Sequence, residues 1–294
     1  MRTLVIRRWD RETVFVAQVA ACVSFVSFLF YLRQGDLMLY GDAVAHINIA
    51  RRVFDSRTPG LLQLGTVWLP LPHLLMVPFL LSDWMWQTGI GASIPSMIAY
   101  VLGTVGIFRL VRVALNFYSE ADGASRMAAW FAAGIYAANP NLIYLQSTAM
   151  TEPLYLALFI WAVVHFSEFV QETSVSDERT QQAASVSLVK SGFCLMAGCL
   201  TRYDGWFLTT AVCAAVIPVM IKVRRDHESV FFGLKKFVLL AVAAPALWIG
   251  YNAAVYRNPM EFANGPYSAK AIEQKGSPGA AHPGSNDLAV AFSY

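Results

Sequence analysis

Long apolar runs separated by short polar segments dominate the chain. Val14 to Leu32 is long enough to cross a hydrocarbon core of ~30 Å, and similar runs follow at 94–115, 127–138, 152–170, 188–200, 206–221 and 237–256. Such runs are typical of helices that satisfy their backbone hydrogen bonds inside a membrane. The pattern predicts an all-α polytopic membrane protein with about seven transmembrane helices, in a transmembrane module of residues 1–256.

One shorter apolar segment, Trp68 to Leu81, decides the topology. Three prolines interrupt it, at 70, 72 and 78, and apolar segments of this length are more often interfacial or re-entrant than spanning. If it does not cross, the basic residues at later span ends share the cytoplasmic side with the N-terminal arginines, as the positive-inside rule favours. These residues are Arg2, Arg7, Arg8, Arg11, Arg109, Arg112, Arg126, Lys222, Arg224, Arg225, Lys235 and Lys236. We therefore predict juxtamembrane helices in a long first outer loop, residues 33–93.

Composition supports this class. The chain is 56% hydrophobic and 14% charged, with a mean hydropathy of +0.48, which is too apolar for a soluble domain. The net charge of +3 is small, and basic residues at span ends indicate membrane orientation and not nucleic-acid binding. All four cysteines, Cys22, Cys194, Cys199 and Cys213, fall inside apolar runs. They indicate neither a disulfide framework nor a zinc site.

The polar segment 39–54 follows the first span and carries Asp42 and His46 one helical turn apart. If the segment is an interfacial helix, an apolar stripe forms on one face while Asp42 and His46 share another. The stripe consists of Ala43, Ile47, Ala50 and Phe54. Gly41 and Asp42 are predicted at the N-cap end. Asp42 is either a helix cap or, at the outer water boundary, a catalytic base.

Two further outer turns carry ionisable residues. Glu152 precedes Pro153 at the start of a span, and the hairpin 201–206 carries Arg202, Tyr203 and Asp204. Transfer from an anionic lipid-linked donor needs one carboxylate as a base and a cation for the phosphate, for which Arg offers a fork of donors. Alternatively, Glu152 only favours the helix start, and the hairpin residues form a solvated ion pair.

Four segments together resemble the C-fold, polyprenol-dependent membrane glycosyltransferases, in particular the protein O-mannosyltransferase and aminoarabinose-transferase branch (family 39 type). They are 41–46 (GDAVAH), similar to the acidic first-loop motif, 68–73 (WLPLPH), 139–153 (NPNLIYLQSTAMTEP) and 201–206 (TRYDGW). The resemblance implies a lipid-phosphate sugar donor, further spans beyond this chain, and Arg202 at the position of a phosphate-binding Lys. The family's second first-loop acid and the following basic residue are absent here, and His46 or Arg51 are candidates to compensate.

The sequence therefore predicts an inverting glycosyltransferase of the cytoplasmic (inner) membrane, with a cytoplasmic N-terminus and an active site on the outer face. Asp42 is the predicted base, and Glu152 is predicted to orient the acceptor or to help bind a cation. The predicted substrate-binding residues are His46, His73, Arg202, Tyr203, Asp204 and Tyr267. The polar segment 257–294 is predicted to be an outer loop that leads to further spans and can close over the site. The predicted partners are a polyprenyl-phosphate sugar, membrane lipids and a lipid, protein or glycan acceptor. The sequence does not determine whether a divalent cation takes part. The alternatives are a transporter or lipid flippase and an inactive scaffold of the same fold.

Overall fold

The computed structural model describes residues 10–116, 123–175, 177–223, 228–276 and 289–290, and these residues are helical with no β-strand. The predicted cytoplasmic residues Arg2, Arg7, Arg8, Arg224 and Arg225, and most of 277–294, lie outside the described residues. The helices are α1 (Arg11–Gln34), α2 (Gly41–Arg52), α3 (Leu71–Met76), α4 (Asp83–Gln87), α5 (Ile90–Asn116), α6 (Gly123–Ala137), α7 (Pro140–Gln146), α8 (Glu152–Thr173), α9 (Glu178–Cys199), α10 (Asp204–Lys222), α11 (Glu228–Tyr256), α12 (Glu261–Asn264) and α13 (Ala269–Gly276).

Five of these helices, α1, α5, α8, α10 and α11, are long and apolar enough to cross a membrane. The prediction of an all-α protein is thus confirmed for the described residues, and five of their helices could span a membrane. The other two predicted spans fall in α6, which has 15 residues, and in α9, whose first turns are polar. The count of seven spans and the orientation in the membrane stay predictions.

The segment between α2 and α5 contains only short helices. α3 has six residues and is followed by a 3-10 turn, Val77–Phe79. Proline occupies the first turn of each, where its missing N–H costs nothing. At 1.5 Å per residue, α3 rises only about 9 Å, so it cannot cross a membrane.

The first helix is capped at both ends. Asp10 accepts a hydrogen bond from the Thr13 N–H at 2.8 Å, which satisfies one of the open donors of the first turn. Gly35 ends the helix in the left-handed conformation, with a φ of 80°, which glycine adopts without steric cost. These caps place the predicted span 14–32 entirely inside α1.

Three ion pairs bring one set of helix termini together. They join Arg112 to Asp10, Arg126 to Glu12, and Arg109 to Glu168. The starts of α1 and α6 therefore lie at the same end of the helix bundle as the last turns of α5 and α8. The other end, which we call the α2 end, carries α2, α3 and the first turns of α5, α8 and α10.

Two apolar clusters hold this arrangement. The larger one joins α8, α9, α10 and the first part of α11, around Phe169, Leu188 and Phe237. The second packs α2 against α3, the start of α5 and the turn before α8. In it Ala43, Ile47 and Ala50 are at most 2% exposed and Phe54 packs at the edge. The predicted apolar stripe is confirmed for Ala43, Ile47 and Ala50, whereas Phe54 lies beyond the end of α2 at Arg52.

The chain divides into two compact units, one of residues 1–65 and 69–246 and one of residues 66–68 and 247–294. In the second unit, Thr66 donates a hydrogen bond to the buried Asn252. Tyr267 lies in the turn before α13 and is 71% exposed. The predicted closure of this segment over an active site stays a prediction.

Candidate active site

Asp42 lies in the first turn of α2, at the α2 end. The N-cap position belongs to Tyr40, which makes no side-chain capping bond. Gly41 and Asp42 lie at the N-terminal end of the helix, as predicted, but neither is the N-cap residue: the helix starts at Gly41 and Asp42 is its second residue. Its side chain is exposed and makes no hydrogen bond or ion pair within the part of the chain that the structure describes. Capping does not account for this carboxylate.

His46 follows one turn later and forms a buried pair with His73 of α3. The distance from Nδ1 of His46 to Nε2 of His73 is 2.8 Å, and the two residues are 3% and 0% exposed. The pair exists because the apolar stripe of α2 packs on Met76 and Leu80, next to His73. In the structure the two histidines are partners of each other, and their predicted role in substrate binding stays a prediction.

Burial sets the charge of this pair. Burial lowers the pKa of His46 to about 4, which the negative charge of Asp42 opposes and the positive charge of Arg202 supports. The pKa of His73 is lowered to about 3, first by burial, then by His46 and Arg52, against the effect of the Leu69 backbone. Both imidazoles are therefore neutral near neutral pH.

Arg202 contacts two acidic residues of the predicted site, Glu152 and Asp204. Its Nη1 donates to Oε1 of Glu152 at 2.6 Å, and its Nε donates to Oδ2 of Asp204 at 2.9 Å. Burial acts to lower the pKa of Arg202, but the hydrogen bonds and charges of Asp204 and Glu152 outweigh it and raise the pKa. The side chains of Arg202 and Glu152 keep 35% and 30% of their surface exposed.

Two hydrogen-bonding positions remain open in this ion pair. Nη2 of Arg202 makes no hydrogen bond among the described residues. Oε2 of Glu152 is buried and has no partner there. A buried carboxylate oxygen without a partner is energetically unfavourable, so a ligand that donates to it is favoured. The pair can thus accept a ligand that offers a hydrogen-bond acceptor to Arg202 and a donor to Glu152.

Backbone packing fixes the Arg202 turn. The Leu71 N–H donates to the Leu200 carbonyl at 3.0 Å, which ties α3 to the turn. At Gly205, an added Cβ would lie 2.6 Å from the carbonyl carbon and oxygen of Gly198. The two helices of the hairpin can approach this closely only because residue 205 has no side chain.

Of the two tyrosines predicted to bind substrate, only Tyr203 lies in the Arg202 turn. The rings of Tyr203 and Trp206 meet edge to face at 5.5 Å, and the indole N–H of Trp206 donates to the Cys199 carbonyl. Tyr203 therefore belongs to the predicted group around Arg202. Tyr267 belongs to the second unit, described above.

Neither Arg51, a candidate to replace the basic residue that the family carries in its first loop, nor a metal site adds a further open binding position. Arg51 is 9% exposed and donates to Asp55, Asp83 and the Leu80 carbonyl, so it anchors the loop after α2. No group of three or more metal-binding side chains occurs within the described residues. Glu152, which we predicted as a possible cation ligand, binds Arg202.

Sequence reasoning missed one buried charged group. Arg109 on α5 pairs with Glu168 on α8, and His165 Nδ1 lies 2.9 Å from the second oxygen of Glu168. The spacing of 165 and 168 puts both on one face of α8, a signal that was available. This group lies near the end opposite to Asp42 and is not part of the candidate site.

Comparison of the chain with models of known protein families, with curated proteins and with solved structures finds no match.

Proposed function

We propose that the protein is an inverting membrane glycosyltransferase that moves a sugar from a polyprenyl-phosphate donor to an acceptor at the α2 end. The observation that carries this proposal is the ion pair of Arg202 and Glu152, which keeps one donor and one acceptor position open on the same side of the bundle as an unpaired Asp42. A lipid-phosphate sugar offers a phosphate oxygen to the open donor of Arg202 and a hydroxyl to the open acceptor of Glu152.

Three charged residues, Asp42, Arg202 and Glu152, have roles in the proposed reaction. Asp42 accepts the proton of the acceptor hydroxyl or amine. The acceptor atom then attacks the anomeric carbon, whose bond to the phosphate oxygen breaks with inversion. Arg202 stabilises the negative charge on the leaving phosphate, and Glu152 holds a sugar hydroxyl through Oε2. The neutral imidazole pair adds no charge beside Asp42.

The location of these groups suits a lipid-linked donor. Asp42 and Glu152 lie in the first turns of α2 and α8, and Arg202 lies in the turn before α10. In the proposed orientation, water and headgroups meet the apolar spans at this end of the bundle. The phosphate would stay at this boundary while the polyprenyl tail remains among lipids. The outer face of the cytoplasmic membrane is the side that the charge distribution of the sequence favours.

The direct test is transfer from a panel of radiolabelled polyprenyl-phosphate sugars by membranes that contain the full protein. We expect transfer by the wild type and a loss of at least 100-fold in Asp42→Asn, as for removal of a general base. Asp177→Asn is the matched control, because Asp177 caps α9 through the Thr180 N–H and asparagine caps a helix equally well. Equal transfer by Asp42→Asn and wild type would remove Asp42 as the base.

One observation favours a second function, that of a transporter or lipid flippase. Buried charges inside spans commonly mark transport pathways, and Arg109 and Glu168 are such charges. Uptake of polyprenyl-phosphate sugars or free sugars into proteoliposomes, lost in Glu168→Gln but kept in Asp42→Asn, would favour transport. Sugar transfer without uptake would favour the enzyme.

A further inference from the structure

The turn between α7 and α8, residues 147–151, is buried although it is not helical. Each of its residues is at most 9% exposed. A buried carbonyl that is not paired within a helix needs another donor, because leaving it unpaired is energetically unfavourable. No backbone N–H among the described residues donates to the carbonyls of Ser147 and Met150. Both carbonyls therefore depend on side-chain donors.

Two serines of α5 supply these donors. Ser93 Oγ donates to the Ser147 carbonyl at 2.8 Å, and Ser96 Oγ donates to the Met150 carbonyl at 3.0 Å. Both serines are at most 2% exposed. A hydroxyl has a single proton to donate, and Ser93 also has the Gly89 carbonyl of its own helix within reach, at 3.2 Å. Of the two bonds to the turn, that of Ser96 therefore has no competing acceptor among the described residues.

The turn leads directly into the group that we propose binds the donor. The two residues after Met150 both contact Nη1 of Arg202, which donates to Oγ1 of Thr151 at 3.4 Å and to Oε1 of Glu152 at 2.6 Å. These three side chains are thus bonded to one another. A displacement of the turn would move them together and would leave the contact between Glu152 and Arg202 in place.

The helix that carries Asp42 packs against the same turn. Ala43, the neighbour of Asp42, is fully buried and belongs to one apolar cluster with Ala149 and Met150. Apolar contact is non-directional, so this packing holds the turn against α2 without fixing its exact position. The directional bonds to the turn are those from α5. The serines therefore determine where the turn lies relative to Asp42.

We infer that Ser93 and Ser96 are positioning residues for the reaction: their hydrogen bonds fix the 147–151 turn and so set the distance between the base and the phosphate-binding group. This inference rests on the proposed function for its link to catalysis. The hydrogen bonds themselves do not depend on any activity. Neither serine contacts a substrate in this scheme, and both act only through the turn.

NMR of the protein in nanodiscs can observe the Met150 carbonyl by itself. Met150 and Thr151 form the only Met-Thr pair in the sequence, so carbonyl-carbon-13 methionine and nitrogen-15 threonine together give one correlation. We expect Ser96→Ala to shift this carbonyl signal upfield, because the carbonyl loses its donor. Ser27→Ala is the matched control, since Ser27 bonds the Val23 carbonyl of its own helix, as serines in helices commonly do. An unshifted signal in Ser96→Ala would overturn the inference without any assay of transfer.

Steady-state transfer tests the catalytic link. We expect Ser96→Ala to lower kcat, counted per molecule that binds donor, by about tenfold or more, since a misplacement of about 1 Å can cost about 100-fold. KM for the donor should stay within about threefold, because Glu152 and Arg202 remain bonded to each other. Ser96→Thr keeps the hydroxyl and should restore most of kcat, and Ser27→Ala should match the wild type. A variant that is only less stable would lose active molecules and keep its kcat.

The outcomes separate the two proposals. An equal kcat in Ser96→Ala and wild type, with the Met150 signal shifted, would overturn the positioning role. If Ser96→Ala fails to fold, Ser93→Ala decides through the Ser147 carbonyl, which belongs to the only Ser-Thr pair in the sequence; an unshifted signal or an unchanged kcat there would overturn the inference. The expected shift in a protein that transfers no sugar would instead overturn the proposed function, and the catalytic link with it.

Discussion

Acidification should open the contact between α2 and α3, and the size of the effect follows from the buried histidine pair. The pKa of each ring is lower in the folded protein, about 4 for His46 and about 3 for His73, than the ~6.5 of an unfolded chain. Below pH 6.5 the unfolded segment therefore binds protons that the folded one does not. The contribution of the pair to stability is complete above that pH and is lost as the pH falls toward about 4.

The magnitude comes from the proton difference. Each pH unit below 6.5 costs about 1.4 kcal/mol for every histidine that is protonated only when unfolded. Between pH 7 and 5 this amounts to about 2 kcal/mol for one ring and up to about 4 kcal/mol for both. Against an opening free energy of a few kcal/mol for a local contact, such a loss is large enough to measure.

Hydrogen exchange of the α2 and α3 peptides is the appropriate assay, after correction for the intrinsic pH dependence of exchange. We expect protection of these peptides to fall steeply between pH 7 and 5, while an α8 peptide changes less. The double variant His46→Gln and His73→Gln is the control, because its amide groups do not titrate. A fall of equal size in the wild type and in the double variant would refute the reasoning.

Two substitutions in the Arg202 turn give separate predictions. Arg202→Lys should raise the donor KM by at least tenfold, since an ammonium cannot hold Glu152, Asp204 and a phosphate in one planar fork; an unchanged KM in a steady-state assay would contradict this role. Gly205→Ala should destabilise the hairpin by about 1–3 kcal/mol, because its Cβ meets the Gly198 carbonyl at 2.6 Å, and should lower the melting temperature. Gly198→Ala is the matched control, since a Cβ there has nothing within 4 Å, and an equal loss in both variants would argue against the close approach.

The periodic features of the fold could be predicted from the sequence. The stripe of Ala43, Ile47 and Ala50 follows from the helical repeat alone, and the first span follows from the length of its apolar run. The hydropathy signal is weaker for α6, which is short, and for α9, which begins with polar turns. Whether these two helices span a membrane is therefore harder to predict from the sequence. Periodicity identifies the face of a helix that is buried, and it carries no information on which other helix covers that face.

This limit explains what was missed at the candidate site. His46 and His73 are 27 residues apart, and nothing in the spacing of either segment indicates that α3 packs on the α2 stripe with its histidine toward His46. Arg202 and Glu152 are 50 residues apart in the sequence. Both were predicted in outer turns, so the sequence placed them on the same side of the membrane but did not predict their contact. The pairing partners of buried polar groups depend on tertiary packing, which a single sequence does not specify.

The charges of the site constrain how a phosphate can bind there. Three carboxylates, those of Asp42, Glu152 and Asp204, accompany one guanidinium, and the histidine pair is neutral. A free phosphate would gain one cation and face this excess of negative charge, so the phosphate contact alone should bind weakly. A phosphate that carries a sugar gains in addition a hydroxyl for the unpartnered oxygen of Glu152. In the proposed mechanism the site therefore selects the sugar and the phosphate together, and the charge that Arg202 must stabilise becomes largest when the phosphate leaves.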